Sequence, residues 1–279
     1  MSTSKERLDV LLVKKNLVGS REKARAAIMA GLVYVDGKKV DKPGSLVKVD
    51  QEIVVKGEPI PYVSRGGLKL EKALRAFNVS VEGKTFMDVG ASTGGFTHCL
   101  LLNGAKKVYA IDVGYGQLAW QLRQDRRVVV MERTNIRYVT PDMFDEPVQG
   151  ATIDVSFISL RLVVPVVKDI VMDGSDIIAL IKPQFEAGRE KVGKNGVVKD
   201  PQVHREVLLG FLGLCQQLGL SLYDITYSPV TGPEGNIEFL AYVRKEVASP
   251  IINVTSYKLK QVVEEAHREL LHGQRGGAL

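Results

Sequence analysis

The sequence predicts a doubly wound α/β domain with a mostly parallel, seven-stranded sheet and an antiparallel last strand, preceded by a small α+β domain. Three observations predict it. From about residue 67, short apolar runs alternate with helical periodicity, as in a parallel sheet covered by helices. One of those runs passes into a glycine-rich turn, Asp88-Val89-Gly90-Ala91-Ser92-Thr93-Gly94-Gly95, where a helix begins. Near the end the alternation stops. Residues 220–227 and 237–244 are two strand-like runs joined by a Gly/Pro turn with no helix between them, so the last strand has to run antiparallel.

The elements follow in order. Residues 1–58 read as a separate domain. Helical spacing joins Leu8, Leu11, Leu12 and Leu17. Ser20 caps a second helix, with Lys23 in its first turn and Gly31 at its end. Strands are expected at 32–35, at 39–40 after an Asp36-Gly37 turn, and at 46–49 and 51–56 beyond Pro43-Gly44. Residues 59–66, with Pro59 and Pro61, read as a stiffened linker. The α/β domain is expected over 67–246. It opens with a helix at 68–77. Strands follow at 85–90, 107–113, 127–131, 151–155 and 176–182, with helices near 95–103, 116–125, 161–172 and 201–218. Residues 247–279 form a tail, with one amphipathic helix over 256–272 and a Gly-rich end.

Composition bounds the possibilities. The chain has 279 residues and a formal net charge of +6, a weak lean towards an anionic partner. The lean is concentrated at the start, where residues 1–58 hold 12 Lys and Arg against 8 Asp and Glu. Cys99 and Cys215 lie in apolar, helix-like stretches and read as buried thiols in a reducing compartment. His98, His204, His267 and His272 have no ligand spacing with them, so no metal is expected. The N-terminus lacks the apolar core of a signal peptide. No run of about 18 apolar residues is present, so no membrane partner is expected and the expected location is the cytoplasm.

The glycine turn is the strongest chemical signal. Glycines let a backbone pass close to a ligand. Asp112, 17 residues after Gly95 at the next strand tip, is placed to accept hydrogen bonds from ribose hydroxyls. The spacing lacks the second glycine of the dinucleotide fingerprint, and no Lys-Ser/Thr follows as in a P-loop. Acid-Val-Gly-x-x-x-Gly-Gly is the pattern of S-adenosylmethionine binders; a ligand-free tight turn and a nicotinamide site stay open. Candidate cofactor contacts are Asp88, Gly90, Ala91, Ser92, Thr93, Gly94, Gly95 and Asp112, with Asn135 after the third strand as an adenine neighbour.

Ligands of such sheets lie beyond the carboxyl ends of the strands, so polar residues there need a reason. Asp154 follows its strand. Lys182 ends the apolar run Ile177–Ile181, where burying an ammonium costs several kcal/mol unless it is paired. Glu238 begins the last strand. Lys69 sits in the first turn of the opening helix, where a cation opposes the helix dipole. Each has a bland reading: a solvated lysine, a capping aspartate, an edge ion pair worth under about 1 kcal/mol. Together they fall at positions that face one pocket.

Two resemblances bear on these residues. Arg7-Leu8-Asp9, Ser20-Arg21-x-x-Ala24, Ile28-x-x-Gly31-x-Val33-x-Val35-x-Gly37, Pro43 and Val47-x-Val49-Asp50-x-Ile53 resemble the S-four RNA-binding domain. The resemblance implies phosphate contacts from Lys5, Arg7, Lys14, Arg21, Lys23 and Arg25. Ser64-Arg65-Gly66-Gly67-x-Lys69-Leu70, the glycine turn, Asp154-Val155-Ser156-Phe157-Ile158-Ser159-Leu160, Ile181-Lys182-Pro183-Gln184-Phe185-Glu186 and Gly235-Asn236-x-Glu238 resemble the FtsJ-like RNA ribose 2′-O-methyltransferases, and within them the TlyA family, often labelled hemolysin A. That resemblance implies Lys69, Asp154, Lys182 and Glu238 as the catalytic set, S-adenosylmethionine as cofactor, and ribosomal RNA or ribosomal subunits as partner, with cytidine as the target base. Lys182 is then the candidate base, Lys69 and Glu238 position the ribose and hold Lys182, and Asp154 lies between cofactor and hydroxyl. Arg65 and Arg189, the latter in a basic glycine-containing loop, are further RNA-contact candidates. The rival functions are a membrane-damaging hemolysin and a non-catalytic RNA-binding assembly factor.

Overall fold

A computed structural model of the protein describes residues 4–29, 31–56 and 60–272. The Gly-rich end, Glu58 and Pro59 lie outside them. The chain divides into two units at Gly66/Gly67.

The first unit runs β1 (Lys5–Arg7), α1 (Leu8–Lys14), α2 (Arg21–Met29), β2 (Val33–Val35), β3 (Lys38–Lys39), β4 (Leu46–Lys48) and β5 (Ile53–Val55). Strands β3, β2 and β5 form an antiparallel sheet, and β1 pairs with β4. Leu8, Leu11, Leu12, Ala24, Ile28, Val33, Val47 and Ile53 bury the apolar faces in one small core. Ser20 Oγ accepts the Lys23 N–H at 3.2 Å, capping α2 as expected. β1 is the unexpected element. Lys5-Glu6-Arg7 has no apolar alternation, and its pairing with β4 is set by main-chain bonds the sequence pattern does not display.

The second unit begins with α3 (Gly66–Phe77), β6 (Thr85–Val89), α4 (Gly95–Leu102), β7 (Lys107–Ile111), α5 (Trp120–Arg123) and β8 (Val128–Met131). It continues with β9 (Gly150–Ile153), α6 (Leu160–Ile170), β10 (Asp176–Ile181), α7 (Pro183–Glu186), α8 (Pro201–Leu218), β11 (Ser221–Tyr227), β12 (Phe239–Arg244) and α9 (Ser256–His267), then a wider turn over Arg268–His272. The sheet order is β11-β12-β10-β9-β6-β7-β8. β12 alone is antiparallel to its neighbours β10 and β11, as the loss of helix alternation predicts. Strands β6, β9 and β10 are buried along their whole length, which is why they read as continuous apolar runs. The helix expected at 116–125 shrinks to four residues of α5. Ala119, at φ −57° and ψ 139°, lies outside the helical region, so the helix starts only at Trp120.

The tail is part of this core. Val254, Leu259, Val262, Val263 and Ala266 pack with Leu222, Ile225 and Phe239 of the last two strands. His204 of α8 is fully buried beside it, its Nδ1 2.8 Å from His267 Nε2 of α9, with Phe239 edge-on at 5.5 Å. Burial, then the neighbouring His267, hold the His204 imidazole down at about 4. The unfolded chain therefore takes up the proton first as pH falls, and stability declines from about pH 6.5 towards 4, on the order of 3 kcal/mol over the whole window. Above pH 6.5 the effect is absent. His204→Gln is expected to lower Tm at pH 7.5 but to narrow the gap to wild type on acidification to pH 4.5. A constant offset across that range would count against it.

Candidate active site

The glycine turn leaves β6 at the sheet's carboxyl edge. Gly90 has φ +86°, and a Cβ there would overlap the Asp154 carbonyl oxygen at the tip of β9. Gly94, at φ +95°, caps α4, and a Cβ there would run into the Leu118 and Leu122 side chains. Both positions therefore demand glycine. The Gly90 and Ala91 N–H groups donate to the Ile111 carbonyl at 2.8 and 3.0 Å, tying the turn to β7. Ser92 and Thr93 form its open rim, while Ala91, Gly94 and Gly95 are buried.

Asp112 lies just past β7 and is half-buried. Its Oδ2 accepts the Ser92 N–H and its Oδ1 the Gly114 N–H, each at 2.7 Å. Each oxygen can accept a second hydrogen bond, so ribose hydroxyls can be held without breaking this brace. The Thr134 N–H bonds to the Asp112 carbonyl, which brings Asn135 beside it; Asn135 Oδ1 accepts the Arg137 N–H at 3.1 Å. Asp88 is a correction. Its carboxylate is fully buried, with Oδ2 accepting from Thr97 Oγ1 at 2.6 Å and Oδ1 from Thr152 Oγ1 at 2.9 Å. Burial lifts it to about 6, against those two hydroxyl bonds. It pins the base of the turn to α4 and β9, both of its oxygens being engaged by hydroxyls inside the core. Because its raised value costs stability as pH rises through about 6, it titrates opposite in sign to His204, and being common to both proteins it cancels in the comparison above.

The four polar residues converge through strand register. Val89 pairs with Ile153, Ile153 with Ala179, and Ile181 with Phe239. Asp154, Lys182 and Glu238 each sit one residue beyond those strand ends, on the edge from which the glycine turn leaves. Lys182 Nζ is 2.6 Å from Asp154 Oδ1 and donates to Ser156 Oγ at 2.9 Å. Lys69 Nζ, from the first turn of α3, donates to Glu238 Oε2 at 2.6 Å. That second pair is deep: Lys69 is 9% exposed and Glu238 1%. The arrangement is two ion pairs at one sheet edge: Lys182–Asp154, with 11% and 20% of their side chains exposed, and the more deeply closed Lys69–Glu238, with 11% and 1%.

Two features escaped the sequence reading. Phe157, in the loop after Asp154, is 90% exposed and holds φ +62°, a backbone conformation rare for a side chain of its size. Its ring lies 5.0 Å from that of Phe185, three residues past Lys182. The sequence signal was an aromatic between Ser156 and Ile158 just past a strand end. Glu186 accepts from Ser159 Oγ at 2.6 Å and from the Leu160 N–H at 2.8 Å, anchoring α7 to the start of α6, and burial raises its carboxyl. In the basic loop Lys191 pairs with Glu206 at 2.6 Å, while Arg189 and Lys194 are exposed.

The cations of the first unit serve two ends. Arg7 grips the fully buried Asp9 through Nε and Nη2, both at 3.0 Å, and Arg21 Nε reaches the same carboxylate at 3.1 Å. The Arg7 guanidinium holds the Asp9 carboxyl below its ordinary value. Lys14 pairs with Glu6 at 2.5 Å. Arg7, Arg21 and Lys14 nonetheless keep about half or more of their side chains exposed, Lys5, Lys23 and Arg25 are exposed, and Arg65 is half-buried. Among the described residues, no His/Cys/Asp/Glu group could hold a metal ion and no helix is long and apolar enough to cross a membrane.

The family model for FtsJ-like methyltransferases matches residues 62–245, and that for the S4 domain matches residues 6–53. A Bacillus subtilis protein, YqxC, provisionally named an rRNA methyltransferase, is 54% identical over 97% of both chains. The 16S/23S rRNA (cytidine-2′-O)-methyltransferase TlyA of Mycobacterium tuberculosis is 41% identical over 96% of this chain and 98% of its own. A solved structure from Streptococcus thermophilus, provisionally named a hemolysin, is 48% identical with a TM-score of 0.78, covering 98% of this chain and all of that one.

Proposed function

This chain belongs to the FtsJ-like methyltransferases, and from that premise we propose that it transfers a methyl group from S-adenosylmethionine to a cytidine ribose 2′-hydroxyl of ribosomal RNA. The observation that carries the reading is the pairing of Lys182 with Asp154 and of Lys69 with Glu238 on adjoining strand ends beside the glycine turn.

The residues present suit the donor. A turn stripped of Cβ atoms at Gly90 and Gly94 admits a ligand against the backbone, and Asp112 offers a carboxylate to ribose hydroxyls. When bound, the donor supplies a methyl on a positively charged sulfur, already activated. The protein's own task is to orient the acceptor hydroxyl and take its proton. Ser156 Oγ, 2.9 Å from Lys182 Nζ, marks where a hydroxyl oxygen fits against the amine. A ribose hydroxyl held there is aimed by Lys182. To take the hydroxyl proton Nζ has to be the neutral amine; the proton then leaves the ribose oxygen for Nζ, and the ammonium so formed pairs with Asp154. The closed Lys69–Glu238 pair holds the floor of the pocket rigid. The exposed Phe157 ring, backed by Phe185, supports the stacking of an unpaired base at the mouth. The cations of the S4 domain support salt-sensitive phosphate contacts.

Purified protein, labelled donor and ribosomal RNA test the reading. Label is expected in a cytidine whose 3′ phosphodiester resists alkali. Label on a base, or none on RNA, would refute it. Asp112→Ala is expected to weaken donor binding at least 10-fold by calorimetry, since it removes a charged acceptor worth about 1.5–3 kcal/mol and loosens the Ser92 brace. Unchanged donor affinity would remove Asp112 from the site.

A further inference from the structure

We propose that Lys72, Tyr227 and Glu269 form a clamp that positions Lys69 for the reaction, so that the C-terminal helix acts on the active site although it lies beyond the matched methyltransferase segment. The inference rests on the catalytic reading of Lys69 given above.

Lys69 and Lys72 are three residues apart on α3 and so project from one face. Lys69 reaches Glu238 at the start of β12. Lys72 Nζ sits 3.3 Å over the centroid of the Tyr227 ring at the end of β11. Those two landing points are neighbours. Tyr227 pairs with Phe239, the residue after Glu238, and the Ser228 N–H donates to the Glu238 carbonyl at 2.8 Å. One helix face thus grips two adjoining strands at the same edge. The ring is fixed in turn, because the Tyr227 hydroxyl donates to Glu269 at 2.6 Å, on the turn that follows α9. α9 is seated by Leu259, Val262, Val263 and Ala266.

The chemistry favours a positioning device over simple packing. Lys72 is half-buried, and burial pulls its ammonium below the ordinary value while Glu269 and Glu265 hold it up. An apolar side chain would fill that place without the desolvation. A cation over a ring fixes distance and direction as an apolar contact does not. It sets the axial position of α3, and with it the reach of Lys69.

The test uses the full-length protein with Lys72→Met, Tyr227→Leu and Glu269→Ala, measured for Tm, donor Kd, and kcat and KM on RNA. Lys72→Met and Tyr227→Leu are expected to lower kcat about 10-fold with donor Kd and RNA KM within about 2-fold, since small misplacements of a positioned group cost up to about 100-fold. Lys72→Arg, which keeps the cation over the ring, is expected to restore most of kcat. An unchanged kcat in folded Lys72→Met overturns the clamp, and so does a loss that tracks Tm and that arginine does not rescue. Should that variant not fold, Glu269→Ala, which removes the acceptor of the Tyr227 hydroxyl at an exposed position, carries the test: a several-fold fall in kcat at constant KM supports the clamp, and no change overturns it. Lys69→Ala in the same assay separates the two claims. Full activity there defeats the catalytic reading itself, whereas a dead Lys69→Ala beside a normal Lys72→Met defeats the clamp alone.

Discussion

Lys182→Ala is expected to lower methyl transfer on the order of 10²- to 10⁴-fold while leaving donor affinity unchanged, because positioned acid–base groups contribute on that scale. Lys182 follows β10, and its nearest partners, Asp154 and Ser156, belong to the neighbouring loop and not to the glycine turn. The side chain can therefore be removed without touching the turn that would hold the donor. Asp154 Oδ1 is buried and has Lys182 as its ion partner, so the alanine variant is expected to lose some stability, and transfer is compared at a temperature where it is folded. Lys182→Arg divides the role further. A guanidinium can keep the ion pair with Asp154 but cannot give up its own proton. If Lys182 takes the proton, arginine is as inactive as alanine; if it only orients the hydroxyl and stabilises charge, arginine recovers part of kcat. Transfer at the wild-type rate by the alanine variant would end the catalytic assignment. The readout is single-turnover transfer with the donor saturating, which keeps binding out of the rate.

The overall fold was legible because its signals are local. Fully buried strands read as apolar runs, and the turn after β6 needs glycine where the Asp154 carbonyl approaches. The antiparallel last strand followed from a missing helix. What was not legible depends on partners distant in sequence. Asp88 looks like a ligand contact until Thr97 and Thr152 are seen to absorb its carboxylate. Arg7 and Arg21 look like free phosphate contacts until the buried Asp9 is placed between them. β1 carries three charged residues and is a strand only because β4 pairs with it. The helix expected at 116–125 has the right periodicity, but Ala119 holds a non-helical ψ of 139° and the helix starts only at Trp120. The convergence of Lys69 with Glu238, 169 residues apart, has no local signature. It shows only in the placement of polar residues at strand ends and in the family resemblance.

The Lys69–Glu238 pair makes the second large prediction, because it separates what the site does from what it contributes to stability. Lys69→Met removes the ammonium and leaves a carboxylate that is 1% exposed without its ion-pair partner. Breaking such a pair costs on the order of 3–5 kcal/mol, a Tm fall of roughly 10 °C for a unit of this size. Water gives little relief, since Gly232 packs against Glu238 so closely that a Cβ there would sit 2.8 Å from Oε1. Transfer should be lost as well, which alone proves nothing about mechanism. The double variant Lys69→Met/Glu238→Leu is the informative one. Replacing a buried ion pair by apolar groups of similar volume is often neutral or stabilising, so Tm is expected to recover most of its loss. Transfer is not. If the pair orients the ribose and holds the floor of the pocket, no apolar substitute can do that work, and the double variant is a folded, donor-binding, inactive protein. Recovered Tm together with recovered transfer would make the pair a structural strut and leave Lys182 and Asp154 as the whole of the catalytic machinery.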